Sequence, residues 1–245
     1  DSVRNYVKLC GMLAIPFCCV VIAGDLGSGL VVFFSGAIII MMSGPRREWV
    51  LSTIAILIGL VALLLAADSL VDSIVGRDVL IKTYQMNRLL VFLDPTADTT
   101  GAGYNLMQSL IAVGSGGFFG KGIGNATQSA SGFLPEAHTD FIFALTSEEF
   151  GFVGDMLLLS LFALLIFSTI RVAYKSDSLF LRLVAVGIVG IWTFQLLENV
   201  GMCIGLMPIT GIPLPFISYG SSSMLMQLAN VGIVQSVWRH RSQAR

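Results

Sequence analysis

The sequence predicts an all-α fold, a polytopic membrane helix bundle. Of the 245 residues, 55% are hydrophobic and only 12% are charged, whereas a soluble domain carries about 25% charged residues. Stretches without Asp, Glu, Lys or Arg also approach the length of about 20 residues that a helix needs to cross the hydrocarbon core. The net charge is −1, so no basic surface for nucleic acid is expected. This composition argues against a water-soluble enzyme.

About six spans follow from the distribution of charge along the chain. Asp25 and the pair Arg46-Arg47 separate the first three spans, and a Pro- and Gly-rich loop at 207–215 divides the last uncharged run. We expect the spans to form a single membrane domain over residues 1–245. The predicted spans cover approximately residues 6–23, 26–44, 48–67, 139–173, 180–206 and 216–238.

Basic residues predict the orientation of these spans. Ten of the fourteen Lys and Arg lie before the first span, between the second and third, between the fourth and fifth, or after the last. With six crossings these four segments share one side, which the positive-inside rule makes cytoplasmic. The C-terminus is then cytoplasmic, and the long segment 68–138 is extracytoplasmic.

The segment 68–138 is too long for a plain connection, and such loops are usually functional or disordered. Its composition argues against disorder, because residues 80–93 are amphipathic and residues 104–119 are apolar enough to dip into the bilayer. We expect interfacial or re-entrant helices that form a cap on the outer membrane surface. The alternative is two further crossings within this segment, which would keep the other spans in the same orientation.

Candidate chemistry lies where this loop meets the fourth span. Glu136, His138 and Asp140 occur within five residues. Thr139 is predicted to cap the helix, which would put Asp140 in its first turn. The helix dipole favours a carboxylate there, so a purely structural role for Asp140 is the alternative to a chemical one.

Other acidic residues lie near or inside the predicted spans. Glu148 and Glu149 would lie about 12–14 Å deeper than Asp140 at 1.5 Å per helical residue. Ionisable groups at such depth are costly, and they are usually paired or functional. Structural pairing is the favoured interpretation for Glu149 and Glu198. Asp25 begins the second span, either as a helix cap or as part of an outward-facing polar site.

Several short motifs keep one order along nearly the whole chain. They are Asp25–Gly27, Arg88 with Phe92–Pro95, Gly101–Asn105 with Gln108-Ser109, Gly114–Gly122, Leu134–Phe143, Glu148–Gly151 and Thr210–Gly220. Together they resemble the SEDS family (shape, elongation, division and sporulation). Residues 101–105 and 210–216 look more like the RodA (elongation) branch than the FtsW (division) branch.

The resemblance implies a peptidoglycan glycosyltransferase. Such an enzyme polymerises lipid II, an undecaprenyl-diphosphate-linked disaccharide peptide, at the outer face of the bacterial cytoplasmic membrane during cell elongation. Family members have ten spans, so this chain would be the last six, without the four N-terminal helices that complete the lipid cavity. The implied protein partner is a class B penicillin-binding protein, a transpeptidase.

Two other functions stay open at this point. One is a lipid II transporter or flippase, which would need a polar path through the membrane lined by Asp25, Glu149 and Glu198. The other is a non-catalytic scaffold for the class B penicillin-binding protein. The transporter is a role also proposed for this family, and the scaffold is suggested by the four missing spans and by Gly132.

The resemblance also implies a catalytic residue. Asp140 corresponds to the acidic residue that the family requires in its large outer loop. It would take the proton from the acceptor sugar's 4-hydroxyl, orient that hydroxyl, or help to hold a divalent cation, Mg²⁺ or Mn²⁺. Gly132 stands where many family members carry Glu, and this departure weakens the case for a second carboxylate that assists Asp140.

Five further residues are candidates for substrate binding. Lys121 and Arg88 lie inside family motifs and would offset the negative charge of the departing diphosphate. Glu136 and His138 closely precede Asp140 in sequence, and Asp25 lies on the predicted outer side. The predicted site therefore consists of Asp140 and these five residues.

Overall fold

A computed structural model describes residues 3–56, 59, 91, 92, 94, 98, 101–130 and 132–240. Across these residues the chain forms helices, turns and loops but no strand, which confirms the predicted all-α fold. Three sequence predictions fall largely or wholly outside the described residues. They are the second half of the third span, the amphipathic stretch 80–93 apart from residues 91 and 92, and Arg88.

Seven helices lie wholly within the described residues, and we number them in chain order. They are α1 (Val3–Ile22), α2 (Leu26–Met42), α3 (Ala102–Gly116), α4 (Thr127–Ala130), α5 (Ile142–Tyr174), α6 (Leu179–Cys203) and α7 (Ser221–His240). Residues 47–56 are also helical. Helices α1, α5 and α6 are long and apolar enough to cross a membrane, whereas α2 is equally apolar but has only 17 residues.

Helix α6 is central to the described bundle, because it packs against both α2 and α5. Small residues allow the approach to α2. A Cβ added at Gly190 would lie 3.1 Å from the Ser35 Cα, and one added at Gly187 would lie 2.8 Å from the Ile39 Cδ1. Close backbone approach of this kind favours helix association in a bilayer, where lipid removes most of the hydrophobic driving force. Helix α1 packs on α2, and α3 packs on α5.

Helix α5 is interrupted at Gly151, which has φ 64° and ψ −167°. A positive φ of this kind favours glycine over any residue with a side chain. In a regular helix the next two amides, of Phe152 and Val153, would donate to carbonyls four residues earlier. Here they donate instead to the carbonyl oxygens of Gly117 and Phe118, at 3.0 and 3.2 Å. The predicted fourth span is therefore divided in two.

The segment 117–122, which we call the crossing segment, also donates to the two α5 carbonyls that lose their helical partners at the break. The amides of Lys121 and Gly122 donate to the carbonyl oxygens of Glu148 and Glu149, both at 3.0 Å. A main-chain exchange thus replaces two lost helical hydrogen bonds on each side of Gly151. Irregular backbone at membrane depth is tolerated only where protein groups or water satisfy it in this way.

The exchange brings the backbones of α3, the crossing segment and α5 into direct contact. A Cβ added at Gly116 would overlap the carbonyl oxygen of Ser147, and one added at Gly120 would overlap that of Glu149. No side chain fits at either position. The glycines at positions 116 and 120 of the motif are therefore explained by the closeness of two main chains.

A buried apolar cluster lies at the end of the bundle where α5 begins. It unites α3, the residues just before and after the start of α5, the end of α6 and the loop that follows α6. Its fully buried members are Val91, Leu106, Ala112, Leu134, Ala137, Phe141, Phe143, Ala144, Met202, Cys203 and Ile209. We call this the Asp140 end of the bundle, because the cluster supports the turn that carries Asp140.

Candidate active site

The residues just before α5 form turns rather than helix. The carbonyl oxygen of Glu136 accepts hydrogen bonds from the amides of Thr139, Asp140 and Phe141 at 3.1–3.2 Å. Helix α5 then begins at Ile142, with Phe141 as its N-cap residue. The predicted Thr139 cap is therefore wrong, since its hydroxyl donates to Glu136 instead. Asp140 consequently lies before the helix and outside its first turn.

Three consecutive main-chain carbonyls, those of residues 138, 139 and 140, hold this turn to the C-terminal part of the chain. Their donors are the Tyr219 amide at 2.9 Å, the Ser218 hydroxyl at 2.6 Å and the Asn199 side-chain amide at 2.7 Å. These bonds use main-chain atoms of the turn only. The side chain of Asp140 is half-buried, and that of His138 is exposed.

The Asp140 carboxylate faces the loop that joins α6 to α7. A Cβ added at Gly211 would lie 3.0 Å from the Asp140 Oδ2, and Gly211 has φ 76°. The neighbouring Thr210 meets the start of α2, where a Cβ added at Gly27 would lie 2.9 Å from the Thr210 carbonyl oxygen. The starts of α2 and α5 therefore meet on the same loop.

Two adjacent buried residues of α6 hold this loop on either side of Gly211. Glu198 accepts a hydrogen bond from the Thr210 hydroxyl at 2.8 Å, and the Asn199 side-chain amide donates to the Ile212 carbonyl oxygen at 2.8 Å. The structural partner that the sequence suggested for Glu198 is thus a loop hydroxyl. Because α6 packs against both α2 and α5, these two bonds tie the loop that faces Asp140 to the centre of the bundle.

A cavity of about 490 Å³ opens beside the turn. Its walls come from the turn, the start of α5, and the loop and first residues of α7. The lining residues are His138, Ile142, Ile217, Ser218, Tyr219, Gly220, Ser221 and Met224. Among the residues predicted to contact substrate, His138 contributes directly to this lining. The lining combines apolar side chains with a few polar groups, as is usual in ligand sites.

Lys121, a predicted contact for the leaving group, pairs with Glu148. Its Nζ lies 2.6 Å from the Glu148 Oε1 and donates to the Thr127 hydroxyl at 2.7 Å. Glu148 is 0% exposed and also accepts from the amides of Thr127 at 2.8 Å and Gln128 at 3.2 Å. The pair fastens the crossing segment to α5, while the Lys121 side chain stays 26% exposed.

The remaining predicted site residues lie in different settings. Asp25 caps α2, since its carboxylate accepts from the Ser28 amide at 2.9 Å and the Ser28 hydroxyl at 2.6 Å. Glu149 accepts from the Gly124 amide at 2.9 Å. Glu136 accepts a hydrogen bond from Thr139 through its carboxylate at 3.0 Å. Arg88 lies outside the described residues, so its predicted role has no structural counterpart here.

In the part of the chain that the structure describes, no three His, Cys, Asp or Glu side chains come together as ligands for a metal ion. Among the described residues, Asp140 would therefore have at most one further His, Cys, Asp or Glu side chain as a co-ligand for the divalent cation considered above. Resident divalent cations are normally held by several oxygen ligands from the protein. These residues do not fit such a site, and we assign no step of the reaction to a metal ion.

Sequence reasoning missed Asn199, Ser218 and Gly211 as parts of the Asp140 environment. A usable signal existed for Asn199, because a polar side chain inside an apolar span is unusual. Ser218 and Gly211 belong to the motif at 210–220, which was noted only for its family resemblance. Ser218 bonds the Thr139 carbonyl, and Gly211 lies against the Asp140 carboxylate. Both contacts join segments far apart in the chain, and no periodicity reports such contacts.

A comparison with protein families decides the relationship. The FtsW/RodA/SpoVE model, described as a cell cycle protein, matches residues 1–243. This chain belongs to the FtsW/RodA/SpoVE family. The membership confirms the resemblance to the SEDS family that the motifs indicated. Together with the apolar helices α1, α5 and α6, it makes the chain part of a polytopic membrane protein.

Similar proteins share this family. The chain is 40% identical over 240 residues to the peptidoglycan glycosyltransferase MrdB of Escherichia coli K12, a match that covers 98% of this chain and 62% of MrdB. The chain therefore spans about three fifths of the length of that relative.

Solved structures of the family share this fold. The rod shape determining protein RodA of Thermus thermophilus is 29% identical with a TM-score of 0.62, and the match covers 99% of this chain and 59% of RodA. A chain of a peptidoglycan synthase complex, whose structure concerns the coordination of polymerization and crosslinking, is 32% identical with a TM-score of 0.74. That match covers 98% of this chain and 63% of the other.

Proposed function

We propose that the protein polymerises lipid II into glycan strands at the outer face of the bacterial cytoplasmic membrane, in the elongation branch of its family. The observation that carries the proposal is the setting of Asp140. Its half-buried side chain belongs to the turn just before a membrane helix, and this turn is anchored through main-chain carbonyls. His138 and Ile142, which lie two residues before and two residues after Asp140, line a cavity of about 490 Å³. The similarity to MrdB, named a peptidoglycan glycosyltransferase, supports the same reaction.

In this reaction the 4-hydroxyl oxygen of the acceptor sugar attacks the anomeric carbon of the donor. The bond between that carbon and the diphosphate breaks, and undecaprenyl diphosphate departs with the bonding electrons. The configuration at the carbon inverts. Asp140 orients the attacking hydroxyl and accepts its proton as the new bond forms, which is general base catalysis by a positioned carboxylate.

The departing diphosphate carries negative charge that cations must offset. Lys121 and Arg88 are the proposed cations. The Lys121 ammonium already bonds to Glu148, so a diphosphate contact would share that ammonium with a buried carboxylate. His138, which lines the cavity, and Glu136 are the proposed contacts for the sugars.

The predicted orientation places the Asp140 end of the bundle outside the cell, where lipid II is polymerised. The proposed partner is a class B penicillin-binding transpeptidase that crosslinks the new strand. The similarity to a chain of a synthase complex that couples polymerization and crosslinking supports this partner. A flippase is less favoured, because Asp25, Glu149 and Glu198 all engage neighbouring groups of the protein.

The test is the Asp140→Asn variant of the purified protein, assayed with lipid II in detergent. We expect glycan synthesis to fall at least about 100-fold, the usual contribution of a positioned general base, with thermal unfolding unchanged. Asp177→Asn is the matched control, because Asp177 is an exposed aspartate in the turn between α5 and α6. The control should polymerise at the wild-type rate.

Polymerisation by Asp140→Asn at the wild-type rate would refute the assigned base. Detergent excludes flipping from the readout, since flipping requires a bilayer. A wild-type protein that moves lipid II across vesicles but forms no strands in detergent would support the flippase. One that binds the transpeptidase without forming strands would support the scaffold.

A further inference from the structure

The position of Asp140 depends on one buried side chain of α6. Asn199 is 0% exposed, and its Nδ2 donates to the carbonyl oxygens of Asp140 at 2.7 Å and Ile212 at 2.8 Å. Because both neighbours are acceptors, only the amide nitrogen can face them. The side-chain orientation of Asn199 is therefore determined by the contacts themselves.

The side-chain oxygen of Asn199 has no such contact. Its Oδ1 is buried and has no hydrogen-bond partner among the described residues. Buried polar atoms in folded proteins are nearly always paired, so an exception calls for a reason. Here an amide side chain is needed because its NH₂ group donates to two main-chain carbonyls at once, which a hydroxyl with a single hydrogen could not do.

The two contacts of Asn199 join the acidic residue to the loop that it faces. Ile212 directly follows Gly211, and a Cβ added at Gly211 would lie 3.0 Å from the Asp140 Oδ2. One side chain thus holds the main chain of Asp140 and the main chain beside its carboxylate at the same time. Glu198 holds the other neighbour of Gly211 through Thr210.

We propose that Asn199 is a positioning residue, which sets the location of the Asp140 carboxylate by fixing the main chain on both sides of it. The inference rests on the proposed function, since the carboxylate is the group that meets the acceptor hydroxyl. Displacing a reacting group by about 1 Å can lower the rate on the order of 100-fold. Asn199 itself touches no substrate in this scheme, so substrate binding is left intact.

Asn199→Ala is the variant that removes both contacts. We expect kcat to fall on the order of 100-fold, with the KM for lipid II within about threefold of wild type, the pattern of a lost transition-state interaction. Gln227→Ala is the matched control. Gln227 is also a buried amide, 3% exposed, and it bonds Trp192 and Gln195 within the α6–α7 packing. This control should keep its kcat per folded molecule.

Hydrogen exchange gives a second readout that does not depend on turnover. In Asn199→Ala the amides of residues 139–141 should exchange faster than in wild type. The amides of Lys121 and Gly122, which bond α5 in the crossing segment, should be unchanged. Unchanged exchange at residues 139–141, or an equal loss of kcat in Gln227→Ala, would overturn the positioning role.

Gly211→Ala keeps the inference testable if Asn199→Ala does not fold. Its Cβ would press on the Asp140 Oδ2 from the loop side, and kcat per folded molecule should again fall while KM stays within about threefold. An unchanged kcat in this variant would contradict the inference. If the wild type forms no glycan, the proposed function fails and the exchange result alone decides the role of Asn199.

Discussion

Glu148 and Asp140 lie on either side of the start of α5, and the structure uses these two carboxylates in opposite ways. Glu148 is 0% exposed, and its Oε1 accepts from the Lys121 ammonium at 2.6 Å and the Thr127 hydroxyl at 2.8 Å. Asp140 is half-buried and lies in a turn. Its carbonyl, bonded by Asn199, anchors the turn.

The difference matches the roles assigned to the two residues, a structural role for Glu148 and the proposed chemical role for Asp140. A carboxylate that joins two parts of a fold is enclosed by donors, because an uncompensated buried charge is very costly. A carboxylate that must meet a substrate needs a fixed backbone and an approachable side chain. The number of acidic residues near a span therefore does not identify the site. The hydrogen-bond partners of each acidic residue are what distinguish the candidates.

The largest loss of stability is expected at Gly116, where α3 touches the main chain of α5 next to Glu148. Gly116→Ala would place a Cβ onto the Ser147 carbonyl oxygen, so α3 and α5 would have to separate. Overpacking against side chains usually costs about 1–3 kcal/mol, and here the obstacle is main chain, so we expect at least about 3 kcal/mol. Denaturant unfolding in detergent measures the loss.

Gly114→Ala is the control for this substitution. Gly114 lies on the same helix, two residues earlier, and a Cβ added there would meet nothing within 4 Å. Alanine is the better helix former by about 1 kcal/mol, so this variant should be at least as stable as wild type. A Gly116→Ala protein of wild-type stability would show that the two backbones do not cross as described.

The next effect compares the two carboxylates directly. Glu148→Gln removes the acceptor charge from a buried cluster of donors and leaves the Lys121 ammonium without its carboxylate. We expect a loss of about 1.5–3 kcal/mol in the free energy of unfolding, the range for hydrogen bonds to charged groups. Asp140→Asn keeps the size of the side chain and the main-chain bonds of the turn, so its loss should be smaller than that of Glu148→Gln.

Glu149→Gln is the neighbouring control in this comparison. The Glu149 carboxylate accepts one exposed hydrogen bond, from the Gly124 amide, so the loss should stay below about 1 kcal/mol. Equal losses for Glu148→Gln and Asp140→Asn would remove the distinction between the two carboxylates. Thermal and denaturant unfolding of the three variants would decide it.

The sequence predicted the helical class and the family, because charge-free runs and ordered motifs are local signals. Residues 139–173 were predicted as one span, and their apolar composition gave no sign of the break at Gly151. The break exists because the crossing segment supplies the missing hydrogen bonds, and that partner comes from another part of the chain. Pairing of Glu148 was considered from sequence, but Lys121 could not be named as its partner.

The candidate site was predictable in part for the same reason. Asp140, Glu136 and His138 are neighbours in the chain, so one motif identified all three. Asn199 and Gly211 contact Asp140 across long separations in sequence, and a single sequence carries no record of such pairs. The predicted Thr139 cap was wrong because the Thr139 hydroxyl donates to the Glu136 carbonyl oxygen. Glu136 has φ 54°, and the turn that it begins delays the start of the helix to Ile142.

The smallest effect concerns Asp25, a third carboxylate, whose side chain caps α2 through Ser28. Serine is also a good N-cap residue, so Asp25→Ser should lower the free energy of unfolding by only about 0.3 kcal/mol, whereas Asp25→Ala should lose about 1 kcal/mol. Equal losses in the two variants would mean that charge rather than capping matters. The rate of lipid II polymerisation by Asp25→Ser then shows whether this carboxylate only caps α2 or also contacts the substrate. A lower rate at wild-type stability would group Asp25 with Asp140 as a substrate contact, because a group that only caps a helix affects turnover only by unfolding the protein.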